Sequence, residues 1–359
     1  MKLIILPVSG GCFVSQLYMV SIFCRLHYIP DVVLSSSGGN VVAYLATAAE
    51  WNFYKLCFIS KYLNKNFFYT CWNNIMTFSI IIGYFQGTLF DKGKGVREFF
   101  ERNFTQNLIQ KQEIWTEAYN KTKNKTRLFC NRNANDTILK VTSKAVRIHN
   151  MIPPYFADGD VEKIANYSIA SASIPTIVPP QEINNEMYVD GGVSSPSPFH
   201  LLEESILRKI QETNDSLHMI YVNIEDLESN KLQGNNNGNL IHTYRNLVED
   251  ILNNQKIKDR TMVVHVLKIL TKDNITGLSF SFSEENIKKY LKVIEFIDFS
   301  FLEVFPKKKI CVDLFNFSKE EIEEKIKEVK EECMCRFMFD ASKLEEIKEI
   351  LIGDIIDNL

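Results

Sequence analysis

Two short motifs, far apart in the chain, carry the residue types that acyl transfer requires. In the first, an apolar run at residues 31–34 leads into Ser35-Ser36-Ser37-Gly38-Gly39. The second is Tyr188-Val189-Asp190-Gly191-Gly192. A serine hydroxyl becomes an effective nucleophile when a neighbouring base accepts its proton, and a carboxylate can be that base. The two motifs therefore suggest Ser37 as a nucleophile, Asp190 as its general base, and ester hydrolysis as the chemistry.

The first motif has the form of a sharp strand-to-helix turn. Such a turn strains the backbone and holds the serine oxygen out of the packed layers. Ser35 and Gly39 lie two residues before and after Ser37, where strand and helix backbones would nearly touch and only small residues fit. Residues 40–49 are rich in alanine, which predicts a helix whose N-terminal amides favour negative charge near Ser37. Because Ser35 replaces the first glycine of the usual G-x-S-x-G pattern, an ordinary helix-capping turn remains the alternative.

A glycine turn near the N-terminus could supply hydrogen-bond donors. A strand predicted at residues 2–6 precedes Pro7-Val8-Ser9-Gly10-Gly11, and helical spacing of apolar residues follows over 13–26. The exposed N–H groups of such a turn can bind a phosphate or the oxyanion of a tetrahedral intermediate. A dinucleotide site would need a third glycine at G-x-G-x-x-G spacing, where this chain has Cys12, Phe13 and Val14. Nucleotide binding is therefore the weaker alternative.

Taken together, these motifs resemble those of the patatin-like phospholipase family. The resemblance extends to residues 164–175 with Val178-Pro179-Pro180, which are similar to the family's helix and proline-rich approach to its aspartate. Gly87-Thr88-Leu89-Phe90-Asp91 and residues 96–100 resemble the segment after the family's turn. The similarity spans about residues 1–200. It implies a three-layer α/β/α fold with a mainly parallel central sheet. The charged, helix-like sequence from residue 284 onward separately predicts a C-terminal helical region.

The resemblance also implies a mechanism and a substrate class. Ser37 and Asp190 would form a dyad without histidine, and Ser37 would form an acyl-enzyme that water then hydrolyses. The implied oxyanion donors are the amides around Ser9, Gly10 and Gly11, and the supporting residues of the two motifs are Ser35, Gly38, Gly39, Gly191 and Gly192. This mechanism needs no metal ion or other cofactor. The expected function is a lipid acyl hydrolase of the phospholipase A or lysophospholipase type, acting on phospholipid or another lipid ester at a membrane surface.

Two alternatives remain open. The family's glycine turn usually continues into a basic residue and a further glycine, whereas this chain has Phe13 and Val14. A non-catalytic lipid-binding or scaffold protein that retains the fold is therefore possible. The other alternative is a Ser-Asp-His triad, which occurs in that chain order in α/β-hydrolases. Four histidines follow Asp190 and are candidates for its third member: His200, His218, His242 and His265.

Composition limits the other function classes. The chain has 359 residues and a net charge of −3, which gives no reason to expect a nucleic-acid partner. Its N-terminal apolar stretch is interrupted by Pro7, too early for a signal peptide, and no segment reaches the ~18 apolar residues of a spanning helix. The eight cysteines lack the spacing of a zinc site and are expected to be reduced. These features favour a cytoplasmic protein, with peripheral membrane association.

The order of predicted elements indicates an α/β protein. Strand candidates at residues 2–6, 31–34, 217–224 and 261–270 alternate with helical stretches, as in a largely parallel sheet covered by helices. We predict a patatin-like catalytic core over 1–205, the remainder of the α/β core over 206–285, and a helical appendage over 286–359.

An aromatic-rich region follows the predicted helix, over residues 51–90. Its rings are interleaved with Lys55, Lys61 and Lys65, so it could form a membrane-facing rim in which rings and ammonium groups lie at headgroup depth. Plain core packing of the helices is the alternative interpretation.

Overall fold

The computed structural model describes residues 1–8, 28–52, 94–175, 178–194, 218–226 and 263–271, together with eleven single positions. Those single positions are residues 16, 17, 20, 23, 24, 55, 56, 205, 208, 209 and 212. For 218–226 and 263–271 the description covers the backbone alone.

The described residues form a nine-stranded mixed sheet. Its strands are β1 (Lys2–Leu6), β2 (Val32–Ser36), β3 (Glu113–Asn120), β4 (Lys125–Cys130), β5 (Met151–Phe156), β6 (Gln181–Ile183), β7 (Glu186–Asp190), β8 (His218–Asp226) and β9 (Val263–Thr271). The main path runs β5-β4-β3-β2-β1-β8-β9, and β7 pairs with both β3 and β6. The central pairs β3–β2, β2–β1, β1–β8 and β8–β9 are all parallel. Strands β1 and β2 are almost wholly buried, which explains their nearly continuous apolar sequence.

One edge of β3 is shared by two strands that run toward each other. Strand β2 is parallel to β3 and pairs with it as far as Ser36, opposite Glu117. Strand β7 is antiparallel to β3 and ends at Asp190, opposite Ala118. The other edge of β3 pairs with β4 over the same residues, so β2 and β7 must meet on one edge. The C-terminal ends of these two strands therefore face each other across adjacent positions of β3.

Five helices accompany the sheet in the described part of the chain. They are α1 (Gly38–Ala48), α2 (Lys94–Asn103), α3 (Gln106–Ile109), α4 (Ser143–Ile148) and α5 (Val161–Ser171), and a short 3-10 turn follows β7 at Gly191–Val193. The starts of α3, α4 and α5 are fixed by side-chain caps from Thr105, Thr142 and Asp160, each accepting a backbone N–H three residues later. Local sequence thus determines where these helices begin.

Helix α1 is buried on nearly all sides because it lies between the sheet and other helices. Its alanines and small residues allow close approach to the ends of β1 and β2. Tyr44 on α1 packs edge-on against Phe100 and Phe104, with ring centroids 5.0 and 6.1 Å away. Such edge-to-face contacts are favourable arrangements for aromatic rings. They connect α1 to the end of α2.

The structure confirms the predicted fold class, an α/β protein with a mainly parallel central sheet. The four predicted strands correspond to β1, β2, β8 and β9, whereas β3 to β7 were not predicted. The predicted helical region at 286–359 lies outside the described residues, and the division of the chain into three segments stays a prediction. Within the ranges that the structure describes, no helix is both long and apolar enough to cross a bilayer.

Only four residues of the aromatic region are described, and three of them (Trp51, Lys55 and Leu56) are buried. Lys55 pairs with Glu50 at 3.1 Å. For Lys55 the structure favours the alternative of core packing, because its ammonium group is held by a neighbouring carboxylate. Lys61 and Lys65 lie outside the described residues.

Candidate active site

Ser37 occupies a strained turn between β2 and α1. Its φ of 53° and ψ of −127° lie outside the regions that L-residues ordinarily adopt, at a cost of about 1–3 kcal/mol. The Ser37 side chain does not cap α1. Two hydrogen bonds of the Ser37 backbone hold the turn instead. Ser37 N donates to the Ser171 side-chain Oγ at 3.0 Å, and Asn40 N donates to Ser37 O at 3.0 Å. The turn is therefore fixed through the Ser37 backbone, and the Ser37 hydroxyl is not used to cap the helix.

The hydroxyl of Ser37 points at Asp190. Ser37 Oγ donates to Asp190 Oδ2 at 2.6 Å, a short bond typical of a charge-assisted donor–acceptor pair. The contact follows from the sheet, since β2 and β7 end face to face beside β3. Two further bonds orient the carboxylate: Gly192 N donates to Oδ1 at 2.7 Å, and Asp190 N donates to Ser173 O at 2.9 Å. The two residues that the sequence proposed as a pair are thus brought within hydrogen-bond distance.

Both partners are buried, which changes the acidity of the aspartate. Ser37 is 1% exposed and Asp190 is 4% exposed. The expectation that the turn holds the serine oxygen out of the packed layers was wrong, because the residue is buried and its oxygen donates to Asp190 at the end of β7. Burial raises the pKa of Asp190 to about 6, although the bonds from Ser37 and from Gly192 N act in the opposite direction. The carboxylate is therefore ionised at neutral pH but is a stronger base than an exposed aspartate.

A second carboxyl group lies behind the pair. Glu117 on β3 is fully buried, and within the described ranges no group donates a well-formed hydrogen bond to either of its oxygens. Burial raises its pKa well above the ordinary value, the charge of Asp190 raises it further, and the adjoining Ser36 hydroxyl only partly opposes this. Burial and the neighbouring Asp190 charge therefore both favour the protonated form of Glu117.

Two glycines are required by close backbone approach. A Cβ added to Gly39 would lie 2.2 Å from the carbonyl oxygen of Leu6, so α1 and the end of β1 meet closely here. A Cβ on Gly191 would lie 2.6 Å from the Glu117 carbonyl oxygen. Gly192 is less constrained, since its nearest neighbours are side-chain atoms at 3.0 Å or more. The sequence interpretation anticipated a small residue at position 39, although the neighbouring strand is β1 rather than β2.

Ser35 does more than provide a small side chain. Its hydroxyl donates to the Trp115 carbonyl oxygen at 3.1 Å and accepts from Asn40 Nδ2 at 3.1 Å. These two bonds connect β2, β3 and α1 directly beneath the Ser37 turn. A glycine at this position could not make them, which explains how serine is accommodated in place of the usual first glycine.

The predicted oxyanion turn lies outside the described residues. This applies to Ser9, Gly10 and Gly11, and to Phe13 and Val14. The chain leading to the turn is described: Val8 borders the aspartate motif, since a Cβ on Gly192 would lie 3.1 Å from its side chain. Gln16 Nε2 donates to the Pro7 carbonyl oxygen at 2.9 Å. Gly38 is the first residue of α1, so its amide has no acceptor within the helix.

For the four histidines of the alternative triad, the structure describes no side-chain position relative to Ser37. His218 and His265 lie in β8 and β9, where only the backbone is described, while His200 and His242 lie outside the described ranges. The described residues hold no cluster of histidine, cysteine, aspartate and glutamate that could bind a metal ion.

Three buried residues beside the pair were missed by the sequence interpretation: Thr116, Glu117 and Ser171. Thr116 and Glu117 belong to a strand that was not predicted. Ser171 belongs to the segment that resembles the family, and its position among small residues at a helix end was the available signal. What the arrangement can do chemically is transfer a proton from the Ser37 hydroxyl to a carboxylate of raised pKa in a water-poor site.

Comparison with known proteins gives one family and a distant structural similarity. The model of the patatin-like phospholipase family matches residues 8–203, which is more than half of the chain. Among solved structures, the chain is similar to VipD from Legionella pneumophila, with 9% sequence identity and a TM-score of 0.39. That similarity covers 99% of this chain and 85% of the VipD chain. A search of curated proteins found no match.

Proposed function

The chain belongs to the patatin-like phospholipase family, and from that premise we propose that it hydrolyses lipid acyl esters with Ser37 as nucleophile and Asp190 as general base. Family membership implies lipid acyl hydrolase activity, and the assignment of these two residues is our proposal. The observation that carries it is the 2.6 Å bond from Ser37 Oγ to the buried Asp190 carboxylate. No histidine is given a role.

In the first half-reaction, Asp190 accepts the hydroxyl proton as Ser37 Oγ attacks the ester carbonyl carbon. The carbonyl oxygen becomes a tetrahedral oxyanion. When this intermediate collapses, the bond between the carbonyl carbon and the alcohol oxygen breaks, and the proton on Asp190 moves to the departing alcohol. The product is an acyl ester on Ser37. A carboxylate with a pKa near 6 suits both steps, because it is ionised at neutral pH and basic enough to accept a proton transiently.

In the second half-reaction, water replaces the alcohol. Asp190 accepts a proton from the water as its oxygen attacks the acyl carbon, and a second tetrahedral intermediate forms. Its collapse breaks the bond to Ser37 Oγ, which takes back the proton from Asp190. The fatty acid leaves and the resting pair is restored. Burial and the charge of Asp190 favour the neutral form of Glu117, which avoids a second buried negative charge beside the base.

The oxyanion needs donors on the side of the site formed by the start of α1 and the end of β1. We assign this role to the amides of Ser9, Gly10 and Gly11, as the family resemblance implies. Two contacts support the assignment, since Gly39 brings α1 against Leu6 and Val8 borders Gly192. The described N-terminal segment thus ends, at Val8, beside the aspartate motif. An amide donor of this kind contributes roughly 3–4 kcal/mol in well-measured serine hydrolases.

The substrate class follows from the family, and the finer assignments are proposals. We propose phospholipase A or lysophospholipase chemistry on phospholipid or another lipid ester. Such substrates reside in bilayers, so the reaction would take place at a membrane surface with peripheral association of the protein. We further propose a cytoplasmic location.

A fluorophosphonate probe tests the nucleophile. Because three serines adjoin at positions 35–37, labelling should be mapped by mass spectrometry. We expect the adduct on Ser37, and we expect Ser37→Ala to abolish labelling and the hydrolysis of a soluble short-chain ester. Ser36→Ala is a matched control, since its hydroxyl is buried one residue away and adjoins Glu117 rather than the Ser37–Asp190 pair. That variant should keep most of the activity.

Three outcomes would contradict the proposal. They are an adduct on another residue, hydrolysis by Ser37→Ala at the wild-type rate, and a folded wild-type protein that neither labels nor hydrolyses any ester. The last result would favour the alternative of a non-catalytic lipid-binding or scaffold protein.

A further inference from the structure

The Ser171 hydroxyl is a buried link between three elements at the candidate site. Ser171 is the last residue of α5 and is fully buried. Its Oγ accepts the backbone N–H of Ser37 at 3.0 Å and the hydroxyl proton of Thr116 at 2.8 Å. Thr116 belongs to β3, so one oxygen joins the helix, the sheet and the Ser37 turn.

The Ser37 amide needs this acceptor because the strand ladder has ended. The pairing of β2 with β3 stops at Ser36, and α1 begins at Gly38. Neither element can therefore pair the Ser37 N–H, which lies in a buried and strained turn. A serine hydroxyl has two acceptor positions, and at Ser171 both are used. The hydrogen bond from Thr116 occupies one acceptor position of Ser171 Oγ and so orients the other toward the Ser37 amide.

We propose that Ser171 is a positioning residue for the nucleophile and that Thr116 orients Ser171 through its hydrogen bond. The hydroxyl of Ser171 holds the turn in the conformation that directs Ser37 Oγ at Asp190. It also occupies the Ser37 amide, so this N–H is not one of the oxyanion donors. Its effect on the reaction rate rests on the proposed function, whereas its effect on the turn does not.

The test compares Ser171→Ala with Ser168→Ala. Ser168 is the matched control because it lies one turn earlier on α5, is also buried, and its hydroxyl makes no hydrogen bond with the described residues. Both variants remove one buried hydroxyl from the same helix. Three quantities are measured on the full chain: kcat and KM for a soluble ester, the rate of fluorophosphonate labelling, and hydrogen exchange of the Ser37 amide at single-residue resolution.

We expect Ser171→Ala to lower kcat and the labelling rate by about ten- to a hundredfold, because a small displacement of the nucleophile disrupts the attack geometry. KM should stay as in the wild type. The acid limb of the pH profile should move to higher pH, because a displaced Ser37 hydroxyl donates less well to Asp190 and lowers its pKa less. The Ser37 amide should exchange at least about tenfold faster without its acceptor. Ser168→Ala should match the wild type in every quantity. Thr116→Val, which keeps the side-chain shape, should produce the same changes in smaller degree.

Equal behaviour of Ser171→Ala and Ser168→Ala would overturn the proposal. If both are active, the Ser171 hydroxyl is not needed; if both are impaired, a general loss of packing in α5 accounts for the lower rate. If Ser171→Ala does not fold, Thr116→Val decides by the same readouts, and wild-type behaviour of that variant overturns the proposal. If the wild type neither labels nor hydrolyses, the proposed function has failed. Exchange of the Ser37 amide then still decides whether Ser171 holds the turn.

Discussion

At the scale of single residues, Asp190 combines two opposed properties. The burial that raises its pKa to about 6 makes it a stronger base for Ser37. The same burial means that ionisation of Asp190 lowers the free energy of unfolding. Since the ordinary value is 3.8, the shift corresponds to about 3 kcal/mol of folding free energy. The protein would therefore be more stable with a neutral group at this position.

The titration of Asp190 should be visible in both activity and stability. A folded-state pKa above the unfolded value means that the stabilisation is complete below pH ~4 and is lost as the pH rises through ~6. Asp190→Asn should be inactive, and its free energy of unfolding relative to the wild type should increase by about 3 kcal/mol between pH 4 and pH 8. Urea denaturation at a series of pH values measures this difference. Wild-type kcat/KM on a soluble ester should rise about tenfold per pH unit below ~6 and then level off.

The difference between variant and wild type cancels the carboxyl groups that do not interact with Asp190, whereas the pKa of Glu117 also responds to the loss of the Asp190 charge. Glu117→Gln provides a control at neutral pH. Its replacement is uncharged, as the protonated Glu117 is, so it should keep most of the activity at pH 7. A stability difference for Asp190→Asn that does not vary with pH would show that Asp190 has no raised pKa.

At the scale of secondary-structure elements, β7 is the strand whose placement completes the site. Its far end is anchored by Glu186, which accepts from Arg127 Nη2 at 2.8 Å, from Asn120 Nδ2 at 2.7 Å and from Tyr188 Oη at 2.5 Å, and also pairs with Lys123. Burial alone would raise the pKa of Glu186. The bonds from Lys123 and Tyr188 and the charge of Arg127 outweigh it and lower the pKa to about 2. This ionic cluster holds β7 against β3 and β4.

The two cations of this cluster should differ sharply in their contribution to stability. The Arg127 side chain is 3% exposed, whereas that of Lys123 is 49% exposed. Arg127→Met leaves the Glu186 charge without its buried partner and should lower the free energy of unfolding by about 3–5 kcal/mol. Lys123→Met removes a solvent-screened partner and should cost less than about 1 kcal/mol. Urea denaturation at pH 7 measures both changes.

Each variant serves as the control for the other, because both lose one positive charge near the same carboxylate. Equal losses would mean that burial does not govern the strength of the two pairs. Loss of ester hydrolysis in a folded Arg127→Met protein would further connect the anchor of β7 to the position of Asp190.

At the scale of the whole molecule, the sheet extends beyond the segment that carries the candidate site. Strand β1 lies between β2 and β8, and β9 continues the sheet from β8. Residues Leu3 to Leu6 of β1 are fully buried. Strands from the second half of the chain therefore complete the sheet around the N-terminal strand. We propose that residues 1–285 fold as one unit and that 286–359 form an appendage.

Truncation tests this division. A chain ending at residue 205 lacks β8 and β9 and leaves an apolar strand at an open edge, which promotes aggregation. We expect it to aggregate or to unfold without cooperativity. A chain ending at residue 285 should be folded, as measured by circular dichroism, size-exclusion chromatography and thermal unfolding. A cooperative, monomeric chain ending at 205 would contradict the proposal, as would a chain ending at 285 that fails to fold.

The local sequence was sufficient for several features of this protein. Four strands were predictable because buried parallel strands are runs of apolar residues, and their burial does not depend on a particular partner. The turn at Ser37 was predictable because it needs small residues on both sides. The aspartate motif was identified by its resemblance to the family. The catalytic roles of Ser37 and Asp190 stay predictions, which the proposed variants test.

Tertiary structure alone decided how these features meet. Strands β3 and β7 carry buried charges, such as Glu113, Glu117 and Glu186, so their sequences do not read as apolar runs. Those charges become tolerable through partners distant in the chain, as Arg127 is for Glu186, or by protonation, as at Glu117. The 2.6 Å contact of Ser37 with Asp190 arises because β2 and β7 end face to face on one edge of β3. No local pattern encodes that junction, since strand pairing depends on the surfaces that the whole chain brings together.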